Sequence, residues 1–223
     1  MMSPARRHRL TVMAGADATK AATGQKPSRV HDQMVAMLAA HNAALKTIKS
    51  QRAKIDAKRR YLPEYSPYVD GVLAADAGGQ DLVLVTVMVW TIDTGDYARG
   101  LDIAEYAVRH RLELPARFKR DLQTTVLEEI ADAALQALSA GTPVDDATAQ
   151  ALDRALELVE GTDMPDEVRA KAYKAIGLIR RDTAPADALA NLRMALTFDG
   201  ASGVKTEIAR LERLKPPPGD STG

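Results

Sequence analysis

Positive charge is the chemistry that this sequence concentrates. Residues 46–60, KTIKSQRAKIDAKRR, carry Lys46, Lys49, Arg52, Lys54, Lys58, Arg59 and Arg60 against a single acid, Asp56. A second group, Arg6, Arg7, His8 and Arg9, lies near the start of the chain. Residues 1–60 hold 13 basic and 3 acidic side chains, whereas residues 61–223 hold 17 and 27, so a formal net charge of zero conceals a cationic third and an anionic remainder. Lysines and arginines at this density neutralise phosphates and release their condensed counterions. Basic arms commonly reach a groove or backbone beside a main binding element. Arg6, Arg7, Arg9, Lys46, Lys49, Arg52, Lys54, Lys58, Arg59 and Arg60 are therefore the expected contacts to nucleic acid. The alternative for the longer run is a solvated, self-repelling helix end.

Other chemistries find little support. The sequence has no G-x-x-x-x-G-K-[ST] loop to cradle a nucleotide and no H-E-x-x-H pair. Its four histidines, His8, His31, His41 and His110, are scattered, and zero cysteines exclude thiolate metal sites, disulfides and cysteine nucleophiles. Asp93 and Asp96 flank a turn, where capping accounts for Asp96. No catalytic residue, metal or cofactor is expected. Residues 121–166 carry eleven acids and one base, Arg154; they read as a solvated face or as a docking surface for a basic partner. Tyr61, Tyr65 and Tyr68 could stack on bases, but tyrosines beside prolines are expected to pack a junction. Residues 1–60 show no helix-turn-helix with a glycine-containing turn.

The elements that must position these charges read as helices. With 46% apolar residues and only nine aromatic ones, the core must lean on Ala, Leu, Val and Ile. The longest apolar run, Leu82 to Trp90, is interrupted by Thr86 and is far shorter than a bilayer span. MMSPARRHRL lacks the apolar stretch of a secretory signal. Residues 1–28 read as a flexible basic arm. Residues 29–62 read as one long basic helix running from about Val30 to Arg60, with Ser28 as its N-cap, roughly 46 Å long. Met34, Leu38, His41, Leu45, Ile48, Arg52 and Ile55 recur at alternating steps of four and three, a coiled-coil-like seam. Met34, Leu38, His41, Leu45, Ile48 and Ile55 are the candidates for self-association, although such a seam also suits a hairpin within one chain.

YLPEYSPY (61–68) is expected to break the helix at Pro63 and Pro67, with Ser66-Pro67 opening the next. Residues 81–93 favour strand by their valines, but no strand partner lies nearby and helix signals follow, so they read as a buried helix. Further helices are expected at about 119–140, 146–160, 166–181, 186–198 and 204–214. Residues 63–215 thus form a helical body, and 216–223 a disordered tail. The fold class is all-α: a long N-terminal helix and a body of TPR-like αα-hairpins.

An internal repeat supports the hairpins. Trp90, Gly100, Leu101, Ala104, Ala107 and Val108 precede Leu178, Ala188, Leu189, Leu192, Ala195 and Leu196 by 88 residues. Small residues on one helix would let its partner approach closely. Two unrelated hairpins sharing generic packing would look the same.

Four collinear stretches, MMSPARRHRL, LPEYSPYVDGVL, TVMVWTIDTGDYARGLDIAEYA and DMPDEVRAK, resemble the GpM-like small terminase subunits of tailed bacteriophages and prophages. The resemblance covers residues 2 to about 214. It implies viral DNA packaging in the host cytoplasm, with no membrane association. A homo-oligomer, often a ring, would bind double-stranded viral DNA at a cohesive-end packaging site and regulate a large subunit bearing ATPase and nuclease. Names in that family sometimes include an endonuclease subunit, for which these residues give no chemical support. Two readings compete with it: a helical adaptor that binds only protein, and a metal-dependent nuclease.

Overall fold

The computed structural model describes residues 2–25 and 29–214. They form ten helices and, among the described residues, no strand: α1 Pro4–Ala22, α2 Arg29–Thr47, α3 Gln51–Ala75, α4 Leu82–Asp93, α5 Tyr97–Arg109, α6 Leu122–Ser139, α7 Asp146–Leu158, α8 Asp166–Arg180, α9 Pro185–Phe198 and α10 Lys205–Leu214. The chain divides into two compact units, Met1–Val126 and Leu127–Gly223, with the division inside α6. Ser28 and the tail 216–223, assigned as a cap and a disordered segment, lie outside the described residues.

Unit 1 differs from the expected layout in three places. Residues 4–22 are helical where a flexible arm was expected. Ser3 caps α1 by accepting from the Arg6 amide at 3.4 Å, and Pro4 starts the helix without wasting a donor. The face of α1 that packs is made of Ala14, Gly15 and Ala18, which carry almost no hydrophobic signal but let α1 lie directly against α3. A Cβ placed on Gly71 of α3 would overlap the Thr11 carbonyl and lie 3.0 Å from Ala14 Cβ.

Second, the long helix is two helices. α2 ends at Thr47, whose Oγ1 donates to the Ala44 carbonyl at 2.8 Å, and α3 starts after Ser50, which accepts from the Ala53 amide at 3.3 Å. The apolar rhythm continues through residues 48–50, but the capping chemistry of Ser50 stops it there. Third, YLPEYSPY does not break the chain; it is the middle of α3. Each proline removes one helical donor. That cost is met by packing, because Tyr65, Tyr68, Val69 and Val72 are all at most 1% exposed.

α4 is the centre of unit 1, and every residue from Val83 to Ile92 is buried. Asp81 starts it by accepting from the Val83 and Leu84 amides at 2.8 and 3.0 Å. Its valines are tolerated because α2, α3 and α5 all pack on it, so tertiary burial overrides propensity. The helix expected over 81–93 is therefore present. Gly95, at φ 85°, turns the chain into α5, which Asp96 caps.

In unit 2 the expected helices appear with shifts of a few residues at their ends. α8 and α9 form a tight hairpin: a Cβ on Gly177 would lie 2.6 Å from Leu192 Cγ and 3.0 Å from the Ala188 carbonyl oxygen. In unit 1, Gly100 meets Ile92 in the same manner across α4 and α5. Both members of the 88-residue repeat are thus αα-hairpins with a small residue at the crossing. Leu189, Leu192, Val204 and Leu211 close a core between α9 and α10.

Arg180 ties α7 to the α8–α9 hairpin. Its guanidinium donates to Asp146 at 2.9 Å, Asp153 at 2.7 Å and Asp187 at 2.8 Å. Hydrogen bonds from Arg180 and then Gln150 hold the Asp146 carboxyl below its usual range. A folded-state pKa below the unfolded value of about 3.9 adds stability above that value, lost as pH falls through the lower folded one. Arg180→Met should therefore destabilise unit 2 by about 1–2 kcal/mol at neutral pH, since the three carboxylates are solvated, and should weaken the acid dependence below about pH 4. Thermal midpoints followed from pH 7 to 2 measure both effects.

Candidate nucleic-acid interface

The basic stretch spans the end of α2, the residues 48–50 and the first half of α3. Lys46 lies in the last turn of α2, where its charge complements the helix dipole. The opposite holds for α3. Its first turn contains no acid, and Arg52 and Lys54 stand where the dipole is already positive. Lys46, Lys49, Arg52 and Arg60 are exposed and Lys54 is half-buried. Among the described residues none of these five has an ion-pair partner. Like charges and the dipole reinforce one another at this helix start, which an anion would relieve.

Two residues of the run are engaged otherwise. Lys58, its side chain 13% exposed, is ion-paired to Asp93 at the end of α4. Arg59 donates to the Thr94 carbonyl at 3.0 Å and to Asp56 at 3.3 Å. Both are among the expected phosphate contacts, and both also fasten α3 to the end of α4.

Arg6, Arg7 and Arg9 are exposed on α1, and none has an ion pair among the described residues. Arg6 and Arg9 line one side of a cleft of about 420 Å³ whose other side carries Arg29, with Leu10, Met13 and Met34 also lining it. Arg29 escaped the sequence reading because it is isolated along the chain; only the fold sets it opposite Arg6 and Arg9.

The seam of α2 closes within the chain. Met34, Leu38 and Leu45 are buried. His41 stacks on Tyr61 with ring centroids 3.8 Å apart, and its Nδ1 lies 2.8 Å from the Tyr65 hydroxyl. Ile48 falls between the two helices and Ile55 lies on α3, both half-buried. Within the chain, α1, α3 and α4 all pack on α2. Tyr65 and Tyr68 are buried in the same junction.

The acidic stretch in unit 2 is partly consumed inside that unit. Lys171 reaches Glu128 at 3.2 Å and Asp132 at 2.9 Å, and Arg180 holds Asp146 and Asp153. Among the described residues no three His, Asp or Glu side chains converge as metal ligands. No helix there is long and apolar enough to cross a membrane.

Residues 35–167 match the family described as phage small terminase subunit. The chain belongs to that family. It is 45% identical over 220 residues to the "Terminase, endonuclease subunit" of Escherichia phage P2, covering 98% of this chain and 88% of that protein. It is also 30% identical over 103 residues to the "Probable terminase, endonuclease subunit" of Haemophilus phage HP1 (strain HP1c1), covering 46% of this chain and 37% of that relative. No solved structure matches. The family region of this small terminase begins inside α2 and ends at the start of α8. It therefore contains the whole α2–α3 basic junction and leaves α1, with Arg6, Arg7 and Arg9, outside.

Proposed function

We propose that this small terminase subunit grips the phosphate backbone of double-stranded phage DNA through the α2–α3 junction, with Arg6, Arg7 and Arg9 of α1 as further contacts. The observation that carries this reading is the set of exposed cations without ion pairs, Lys46, Lys49, Arg52 and Arg60, spread from the last turn of α2 to the first half of α3, with Arg52 in the first turn of α3 where the helix dipole is positive. A protein surface bears such repulsion when an anion offsets it. Contacts of this kind fix position and affinity rather than base sequence. In packaging, the subunit would act as a homo-oligomer at the cohesive-end site, deliver the DNA to the terminase large subunit, and regulate it. With Met34, Leu38 and Leu45 of the α2 seam buried within the chain, self-association would use other surfaces, and the acidic face of unit 2 would suit a basic partner.

The test is binding of the full chain to a duplex of about 30 base pairs, read by fluorescence anisotropy over a range of salt. Replacing Lys49, Arg52, Lys54 and Arg60 by Gln leaves the anchors Lys58 and Arg59 in place. The quadruple variant should bind roughly 100-fold more weakly, and its log–log salt slope should be shallower by about 3.6, four contacts at about 0.9 each. Unchanged affinity and slope in a variant of normal helical content would refute the junction as the contact.

A further inference from the structure

The acidic excess of residues 61–223 hides a second cationic segment. Residues 110–121, joining α5 to α6, carry Arg111, Arg117, Lys119 and Arg120 against Glu113 and the cap Asp121. The segment is irregular yet pinned. Arg111 takes a left-handed φ of 55°, and the Leu112 amide donates to the Ala107 carbonyl at 2.8 Å. Gln80 and the Glu113 backbone exchange hydrogen bonds at 2.8 and 2.9 Å. The Phe118 amide donates to the Pro115 carbonyl at 2.9 Å, and Asp121 caps α6 through the Thr124 amide at 2.7 Å. Arg111, Arg117 and Lys119 are exposed and have no ion pair among the described residues.

Arg117 shows where this segment faces. Its guanidinium donates to Oγ1 of buried Thr86 at 3.3 Å and lies 4.9 Å from the Phe118 ring centroid. Although the residue is exposed overall, partial desolvation of that head lowers its pKa from the ordinary guanidinium value, and no carboxylate offsets it. Thr86 and Asp93 are seven residues apart on α4 and so share one face, separated along the axis by about 10 Å. Asp93 is the residue that holds Lys58. Arg117 and Lys58 are therefore anchored on one stripe of α4, so both basic segments are tied to the same helix.

We propose that the α5–α6 segment is a further phosphodiester contact, in which Arg117 and Lys119 extend the cationic track begun at the α2–α3 junction. This rests on the DNA-binding reading above. Pinning matters here, because cations already held in place lose less freedom on meeting a phosphate than those on a loose loop.

The experiment uses the full chain, a random-sequence duplex of about 30 base pairs and a salt series, with circular dichroism as the check on folding. Arg117→Gln combined with Lys119→Gln should weaken binding about tenfold and reduce the salt slope by about 1.8. Lys119→Gln alone, which leaves the Thr86 contact intact, should reduce it by about 0.9. Glu113→Gln, which removes a repelling carboxylate and keeps the backbone pairing with Gln80, should tighten binding severalfold. If the wild type binds DNA and these variants match it in affinity and slope, the segment is not a contact and the junction reading survives. If the wild type fails to bind the duplex at all, both readings fall together.

Discussion

Alanine at Gly71 should destabilise the protein by about 3 kcal/mol and release α1, although only one methyl group is added. The new Cβ would overlap the Thr11 carbonyl oxygen and lie 2.8 Å from its carbon and 3.0 Å from Ala14 Cβ. Two of these neighbours are backbone atoms of a helix, which cannot rotate away as a side chain would. The helices must separate, and Ala14 and Ala18 of α1 then lose their cover. Gly15, 3.0 Å from the Gly71 carbonyl by the same construction, shows that the approach is close from both sides. Urea unfolding should show a lower midpoint, and hydrogen exchange should show protection lost first in residues 4–22. Gly95→Ala is the control. It places a methyl in open space at φ 85°, so it should cost only about 1 kcal/mol through backbone strain, with α1 protected as before. A Gly71→Ala protein with the wild-type midpoint would mean that the crossing is looser than described. The same variant separates two roles of Arg6, Arg7 and Arg9: a freed α1 still carries its charges to DNA, but no longer beside Arg29.

What the sequence makes visible follows from which forces act locally. α4 was readable despite its valines because a run too long for an unpartnered strand was followed at once by the cap Asp96 and turn Gly95. Past the end of α6, Gly141 takes a left-handed φ of 69°, a conformation glycine supplies at little cost. α1 was not readable, because its packing face is Ala14, Gly15 and Ala18, and close backbone approach leaves no hydrophobic periodicity. The break at Ser50 was hidden because the steps from Leu45 to Ile48, Arg52 and Ile55 keep helical spacing across it. The prolines misled in the other direction: Pro63 and Pro67 forecast a break that the burial of Tyr65 and Tyr68 overrides. At the site, the density of cations between Lys46 and Arg60 needed no fold to be seen. That Lys58 belongs to Asp93, 35 residues away, and that Arg117 reaches the same face of α4, are long-range pairings that no local pattern encodes.

Asp81→Ala should cost about 3 kcal/mol, because a single carboxylate serves three donors from two helices. One oxygen accepts the Val83 and Leu84 amides at the start of α4, and the other accepts the Tyr68 hydroxyl of α3 at 2.6 Å. Since that proton is committed to Asp81, the Tyr68 oxygen acts as acceptor toward His31 Nδ1, 2.8 Å away on α2. Loss of the cap contributes about 1 kcal/mol. A buried hydroxyl deprived of its charged acceptor contributes about 2 kcal/mol more. Asp81→Asn keeps a capping oxygen but not the charge, and should lose roughly half as much. Burial, and then the charge on Asp81, raise the Tyr68 pKa above its ordinary value. A raised folded-state value means stability that is complete below the unfolded pKa of about 10 and declines as alkaline pH ionises the unfolded chain. Tyr68→Phe should therefore lessen alkaline destabilisation while lowering stability at pH 7 by about 1 kcal/mol. Denaturant midpoints for the three variants at pH 7 and pH 11 decide the matter; equal losses for Asp81→Ala and Asp81→Asn would reduce the carboxylate to a simple cap. The consequence reaches the interface, because this chain from Asp81 through Tyr68 to His31 docks α2 on α3 and α4. With α2 loosened, Lys46 and Lys49 would meet phosphate only after being reordered, so Asp81→Ala should weaken DNA binding without removing a single positive charge.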